Sequence, residues 1–137
     1  MKRFSLILLL TALISACSIG RAPLVATDVV IAKPRPGMQM TAGYLTLSNN
    51  TSQVVTITHV TSPEFEFVEM HESVIEDGMA RMYELGKLTI LASKSVTFEP
   101  GGKHLMLMRP TGDFDNVTLD FYAGKAVVLT VNVALTE

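Results

Sequence analysis

Four side chains stand at gaps that point to metal chemistry: His71, ten residues, Met82, twenty-one residues, His104, one residue, Met106. Two imidazoles and two thioethers, with no thiolate among them, make a soft and neutral donor set that suits monovalent copper better than other common ions. Taken singly, each residue has an ordinary explanation, since methionine fills gaps in cores and a strand histidine is usually hydrogen-bonded at the surface. The joint spacing outweighs those single readings. Blue-copper electron transfer requires a cysteine beside two histidines, and the single cysteine, Cys17, precedes the folded body. Zinc takes His, Cys or carboxylate ligands, so a zinc site would have to put Glu69, Glu72 or Glu84 in place of the two methionines.

The elements that must hold these residues are strands. Segments 25–32, 38–48, 53–61, 64–74, 79–85, 88–91, 95–99, 104–109, 117–122 and 126–136 are rich in Val, Ile, Thr and aromatics, which favour extended structure. Turn signals separate them at Pro34-Arg35-Pro36-Gly37, Asn49-Asn50, Glu76-Asp77-Gly78, Pro100-Gly101-Gly102, Gly112-Asp113 and Gly124. No segment carries a helical period, and many short strands at this spacing imply an all-β antiparallel sandwich or barrel. Read as a two-residue hairpin turn, Asp77-Gly78 pairs Glu76 with Met79, Ser73 with Met82 and His71 with Glu84. Alternation then puts His71, Ser73, Met82 and Glu84 on one face, with His71 and Met82 diagonal neighbours about 7–8 Å apart. A three-residue turn would send Met82 to the opposite face. His104 and Met106 are two apart on a strand and share a face, leaving Leu105 and Leu107 for the core.

The first residues read as an export signal. Lys2 and Arg3 precede an apolar run over 4–14, followed by Ser15-Ala16-Cys17, a pattern of charged start, apolar centre and small residues at the cut. The run is shorter than the roughly 20 residues a membrane-spanning helix needs. Ile14-Ser15-Ala16-Cys17 is similar to the bacterial lipoprotein box, which predicts cleavage after residue 16 and lipid on Cys17; an ordinary signal peptide cut nearby is the alternative. The expected organisation is a leader over 1–16, a tether over 17–24 and one domain over 25–137. Ser18 after the cysteine favours the outer membrane over the inner, by analogy with enterobacterial sorting.

Charge and composition exclude other functions. Eleven basic and thirteen acidic residues give a net charge of −2, and removing Lys2 and Arg3 with the leader takes it to about −4. Such a surface offers no electrostatic reason to bind nucleic acid. The sequence has no nucleophile elbow, Pro100-Gly101-Gly102 lacks the lysine and hydroxyl of a phosphate-binding loop, and no catalytic constellation emerges. An exported protein that binds metal through methionine avoids losing ligands to disulfide formation, at the cost of sensitivity to sulfoxide formation.

The four-residue spacing resembles the signature of the periplasmic copper chaperone family called PCu(A)C, matching every position and both long gaps. Ala42-Gly43-Tyr44 leading to Asn49, Val68-Glu69-Met70-His71, Asp77-Gly78-Met79 and Pro100-Gly101-Gly102-Lys103-His104-Leu105-Met106-Leu107 are similar to that family as well. The likeness covers nearly the whole mature domain. It implies a single-domain, cupredoxin-like β-sandwich holding one Cu(I) ion near solvent through His71, Met82, His104 and Met106. It also implies a copper chaperone on the periplasmic side of the cell envelope; the lipoprotein box would tie it to the membrane, and a monomer is the expected state. The partner would be a copper-accepting protein, such as a cytochrome oxidase subunit or an assembly factor. An envelope store that sequesters copper without a dedicated acceptor is the alternative, and an adhesive β-sandwich with an incidental methionine patch is a weaker one. Some members carry a His- and Met-rich tail, whereas this chain ends Ala134-Leu135-Thr136-Glu137, which puts a second copper site in doubt. Near the motif, Met70 and Met79 read as packing or a shield around the metal, Met108 as a spare ligand, and Met38 and Met40 as strand residues. His59 has no partner in the pattern and reads as structural or exposed.

Overall fold

The alternation of small branched and polar residues yields eleven strands in the computed structural model, which describes residues 22–137. The leader, Cys17 and most of the tether lie outside the described residues. The strands are β1 (Leu24–Ile31), β2 (Met40–Asn49), β3 (Val55–Ile57), β4 (His59–Ser62), β5 (Phe65–Glu76), β6 (Met79–Glu84), β7 (Leu88–Ile90), β8 (Ser95–Phe98), β9 (Lys103–Pro110), β10 (Asn116–Ala123) and β11 (Ala126–Ala134). The main sheet runs β1-β2-β9-β5-β4-β10-β11, with β6 paired to β5 and β8 to β2, while β3 and β7 form a separate pair. Ladder pairing is antiparallel throughout. One parallel bridge, Ala32 to Thr136, joins the ends of the order. There the amide of Thr136 donates to the Ile31 carbonyl at 2.9 Å and that of Lys33 to the Thr136 carbonyl at 2.8 Å. The sheet is thereby rolled nearly into a barrel, which satisfies edge groups that would otherwise template aggregation.

The interior is a single apolar core built from alternate residues. Leu45 and Leu47 of β2, Leu105 and Leu107 of β9, and Val117, Leu119 and Phe121 of β10 are all fully buried. Gly43 lets β2 approach β9 closely, because a Cβ there would lie 3.2 Å from Leu107 Cδ1 and 3.4 Å from Leu105 Cβ. Two departures from the expected strands have local causes. Segment 53–61 breaks at Thr58 into β3 and β4, where Thr58 turns aside and its amide donates to the Tyr122 carbonyl at 2.8 Å. The first strand starts at Leu24, one residue before the expected domain boundary, because Leu24 belongs to the core at 3% exposure. Within it the register shifts between Thr27 and Val30, where Asp28 takes φ 54°, a bulge of the kind that locally interrupts a ladder.

Asn49 is buried, and its side chain ties three segments together. Its amide donates to the carbonyls of Gln53 (2.7 Å), Ile90 (3.1 Å) and Leu91 (3.2 Å), and its carbonyl accepts from the amide and hydroxyl of Thr51. Leaving buried carbonyls unpaired costs about 1–3 kcal/mol each. Asn49→Ala is therefore expected to destabilise the domain by about 3 kcal/mol, seen as a lower denaturant midpoint at an unchanged slope.

Candidate metal centre

The hairpin that joins β5 to β6 forms in the expected register. Asp77 and Gly78 have φ of 50° and 76°, as a type I′ turn requires, and Glu76 faces Met79, Ser73 faces Met82 and His71 faces Glu84. All six residues of β6 are exposed. Arg81 and Tyr83 lock this arm near its tip, with Arg81 Nε 3.2 Å from Glu76 Oε2 and the Tyr83 hydroxyl donating to the same carboxylate at 2.9 Å. That hydrogen bond to Glu76 holds the Tyr83 phenol above its ordinary pKa, since the neutral phenol is the donor.

Pairing between β5 and β9 brings the two halves of the motif together. His71 lies directly opposite His104, with ring centroids 5.8 Å apart and planes at 61°. Met82 reaches across from the hairpin arm, placing its sulfur 3.3 Å from His104 Nε2. Met106 sits on the same face one row further along β9, opposite Glu69 on one side and Ala42 on the other. Its Cα is about 7 Å from that of His104, the repeat of two strand residues. Three of the four sequence candidates thus meet at one point, and the fourth borders it. Met82 is 51% exposed while His104 is 8% exposed, so one donor faces solvent and another is held under cover.

Each imidazole is oriented by a hydrogen bond on one nitrogen. The turn before β9 is tight, with the Gly102 amide donating to the Glu99 carbonyl at 3.0 Å and Gly101 at φ 80°. It presents the Gly102 carbonyl to His104 Nδ1 at 3.1 Å and to the Ser73 amide at 3.0 Å. His104 Nδ1 is therefore the protonated nitrogen, which leaves the Nε2 lone pair beside the Met82 sulfur. His71 Nε2 is 2.8 Å from Glu69 Oε2. An ionised carboxylate only accepts, so in the neutral ring Nε2 carries the hydrogen and Nδ1 the lone pair. Nδ1 is buried without a hydrogen-bond partner among the described residues. A buried and unpaired lone pair is costly in a protein, and it fits a ligand atom whose partner is a metal. Carboxylate or carbonyl partners on the far nitrogen are the usual support of metal-binding histidines.

Glu69 and the Gly102 carbonyl belong to this arrangement although the spacing motif does not name them. Glu69 stands two residues before His71 and so shares its face, a signal legible in the alternation. The Gly102 carbonyl follows only from the turn. Among the described residues no three histidine, cysteine or carboxylate side chains converge on one point, so a metal bound here would need the thioethers as well. The neighbours resolve differently. Met70 is core at 3% exposure and packs inward, whereas Met79 is 56% exposed at the hairpin tip. His59 is exposed and stacks on Tyr122 at 4.3 Å.

The family described as putative lipoprotein LpqE-like matches the chain over residues 24–134. The fold is similar to the copper-bound PCuAC domain from PmoF2, with a TM-score of 0.64 and 19% identity over 82% of this chain and 92% of that one. It is also similar to apo-DR1885 from Deinococcus radiodurans, with a TM-score of 0.58 and 23% identity over 98% and 91%. An uncharacterized protein of Rickettsia prowazekii, RP573, is 25% identical over 99 residues, or 68% of this chain, which spans 55% of that relative's length. The expected cupredoxin-like β-sandwich is thus the fold observed.

Proposed function

The chain belongs to the LpqE-like family, and from that premise we propose that it is a Cu(I) chaperone of the bacterial cell envelope. His71, Met82, His104 and Met106 hold one ion as cargo and release it to a copper-accepting protein, such as a cytochrome oxidase subunit or an assembly factor. The observation that carries this reading is the opposition of His71 and His104 with the Met82 sulfur 3.3 Å from His104 Nε2. Neutral nitrogen and thioether donors favour Cu(I). The likeness in fold to a domain described as copper-bound supports the same reading.

The half-exposed thioether of Met82 favours a carrier over a store. An incoming donor from an acceptor can displace it first, while His104 stays anchored by the Gly102 carbonyl. No proton moves when a thioether leaves. Lipid attachment at Cys17 would keep the domain at the membrane, where such acceptors reside, and agrees with the lipoprotein description of the family.

Anaerobic competition against a chromophoric Cu(I) chelator tests the reading, with one equivalent expected to transfer to the protein. Failure of the protein to compete at any chelator ratio overturns it. Glu69→Gln should weaken Cu(I) by about 10–100-fold, the usual effect of losing a partner that orients a ligand. Unchanged affinity would show that His71 needs no such support.

A further inference from the structure

Beyond the four motif residues, the same outer face carries further thioethers in register. Met40 of β2 lies directly opposite Met108 of β9, and Met108 lies opposite Phe67 of β5. The next row is Ala42, Met106 and Glu69. Directly opposed residues have Cβ atoms about 4.5–5.5 Å apart, and Met106 follows Met108 on one face at about 7 Å. Met40 is 47% exposed, so core filling, the usual role of methionine, does not account for it. Ala42 contributes only a methyl group beside Met106, so no bulky side chain of β2 stands between that thioether and Met40. Three cations border this row: Arg109 is drawn to Glu66 at 3.2 Å and lies over the Phe67 ring at 5.3 Å, Lys33 is paired with Asp115 at 3.6 Å, and Arg35 lines the same cavity as Met40.

We propose that Met40 and Met108, with Met106 as the shared member, form a second and weaker Cu(I) station through which cargo reaches and leaves the main site. The proposal rests on the Cu(I) reading of that site. Three neutral thioethers without an imidazole retain the softness that Cu(I) prefers but give up the stronger nitrogen donors. Transfer between stations is ligand exchange at constant oxidation state. Met106 keeps hold while Met108 and Met40 on one side, or His71, Met82 and His104 on the other, complete the set, and neither protons nor electrons move.

The test is an anaerobic Cu(I) titration of the full chain carrying 13C-methyl methionine, followed by NMR. The first equivalent should shift the methyls of Met82 and Met106, and a second, bound at least about tenfold more weakly because Met106 is already engaged, those of Met40 and Met108. Met40→Leu, a change of similar volume that cores and surfaces tolerate, should abolish the response of Met108 to the second equivalent, while Met38→Leu should leave it intact. Loss of that response in Met38→Leu as well would overturn the placement. If Met40 and Met108 stay unmoved at two equivalents while Met82 and Met106 shift, the second station is wrong and the main site stands. If no methionine methyl shifts at the first equivalent, the Cu(I) reading itself falls.

Discussion

His104→Ala is expected to lower Cu(I) affinity by more than about 100-fold, because loss of a ligand exceeds the 10–100-fold effect of losing only its supporting partner. His104 is the centre of the arrangement, facing His71 across the ladder and the Met82 sulfur at 3.3 Å. It is also the most enclosed of the four, so no solvent-exposed neighbour replaces it. The fold should survive. Leu105 and Leu107 anchor β9 in the core, and the Gly102 carbonyl keeps its bond from the Ser73 amide. Unfolding of the apo protein should therefore shift by no more than about 1 kcal/mol, the net worth of an ordinary hydrogen bond. Chelator competition and denaturant unfolding on the same sample separate the two effects. Affinity within about threefold of the parent, a difference under about 0.7 kcal/mol, would remove His104 from the site.

Moving one thioether to the other face of the hairpin arm should be as damaging as deleting it. In β6, Met82 faces the histidines, whereas Arg81, opposite Val74, points away. Met82→Ala should weaken Cu(I) by at least about tenfold, as a soft ligand is lost, and adding Arg81→Met should recover none of it. The double variant restores the number of methionines and keeps the Asp77-Gly78 turn and the Tyr83 bond to Glu76; it gives up only the exposed Arg81–Glu76 pair, worth about 0–1 kcal/mol, so it tests direction apart from composition. Every residue of β6 is exposed, and substitutions at such positions usually change stability by less than about 0.5 kcal/mol. Recovery of affinity in the double variant would mean that the hairpin rotates or that its register does not matter.

The hairpin was legible because its information is local. An Asp-Gly pair that adopts φ above zero at both positions fixes the register, and period-2 alternation then decides the face of every residue in the arm. The same rule assigned Leu105 and Leu107 to the core and His104 and Met106 to the outer face. The break at Thr58 was not legible, since segment 53–61 keeps strand-forming composition throughout and the interruption comes from a hydrogen bond to Tyr122 on a remote strand. Place in the chain makes Met79 as good a candidate as Met70 for packing or for a shield around the metal, but Met79 is 56% exposed at the hairpin tip while Met70 is buried. The Glu69 carboxylate could be placed on the face of His71 by counting, but its contact with Nε2 could not.

The sequence by itself determined the donor types, their exclusion of thiolate, and two same-face pairs, His71 with Met82 and His104 with Met106. Those features depend on residue identity, on one turn and on the pleat of a single strand. Only the tertiary structure decided that the pairs meet, through the alignment of β5 with β9 that sets His71 against His104. That register is held from the opposite face, where Met70 pairs with Leu105 and Val68 with Leu107 in the core. A one-residue slip would turn those leucines outward. Burial summed over the whole domain chooses the alignment, and no short segment contains that sum.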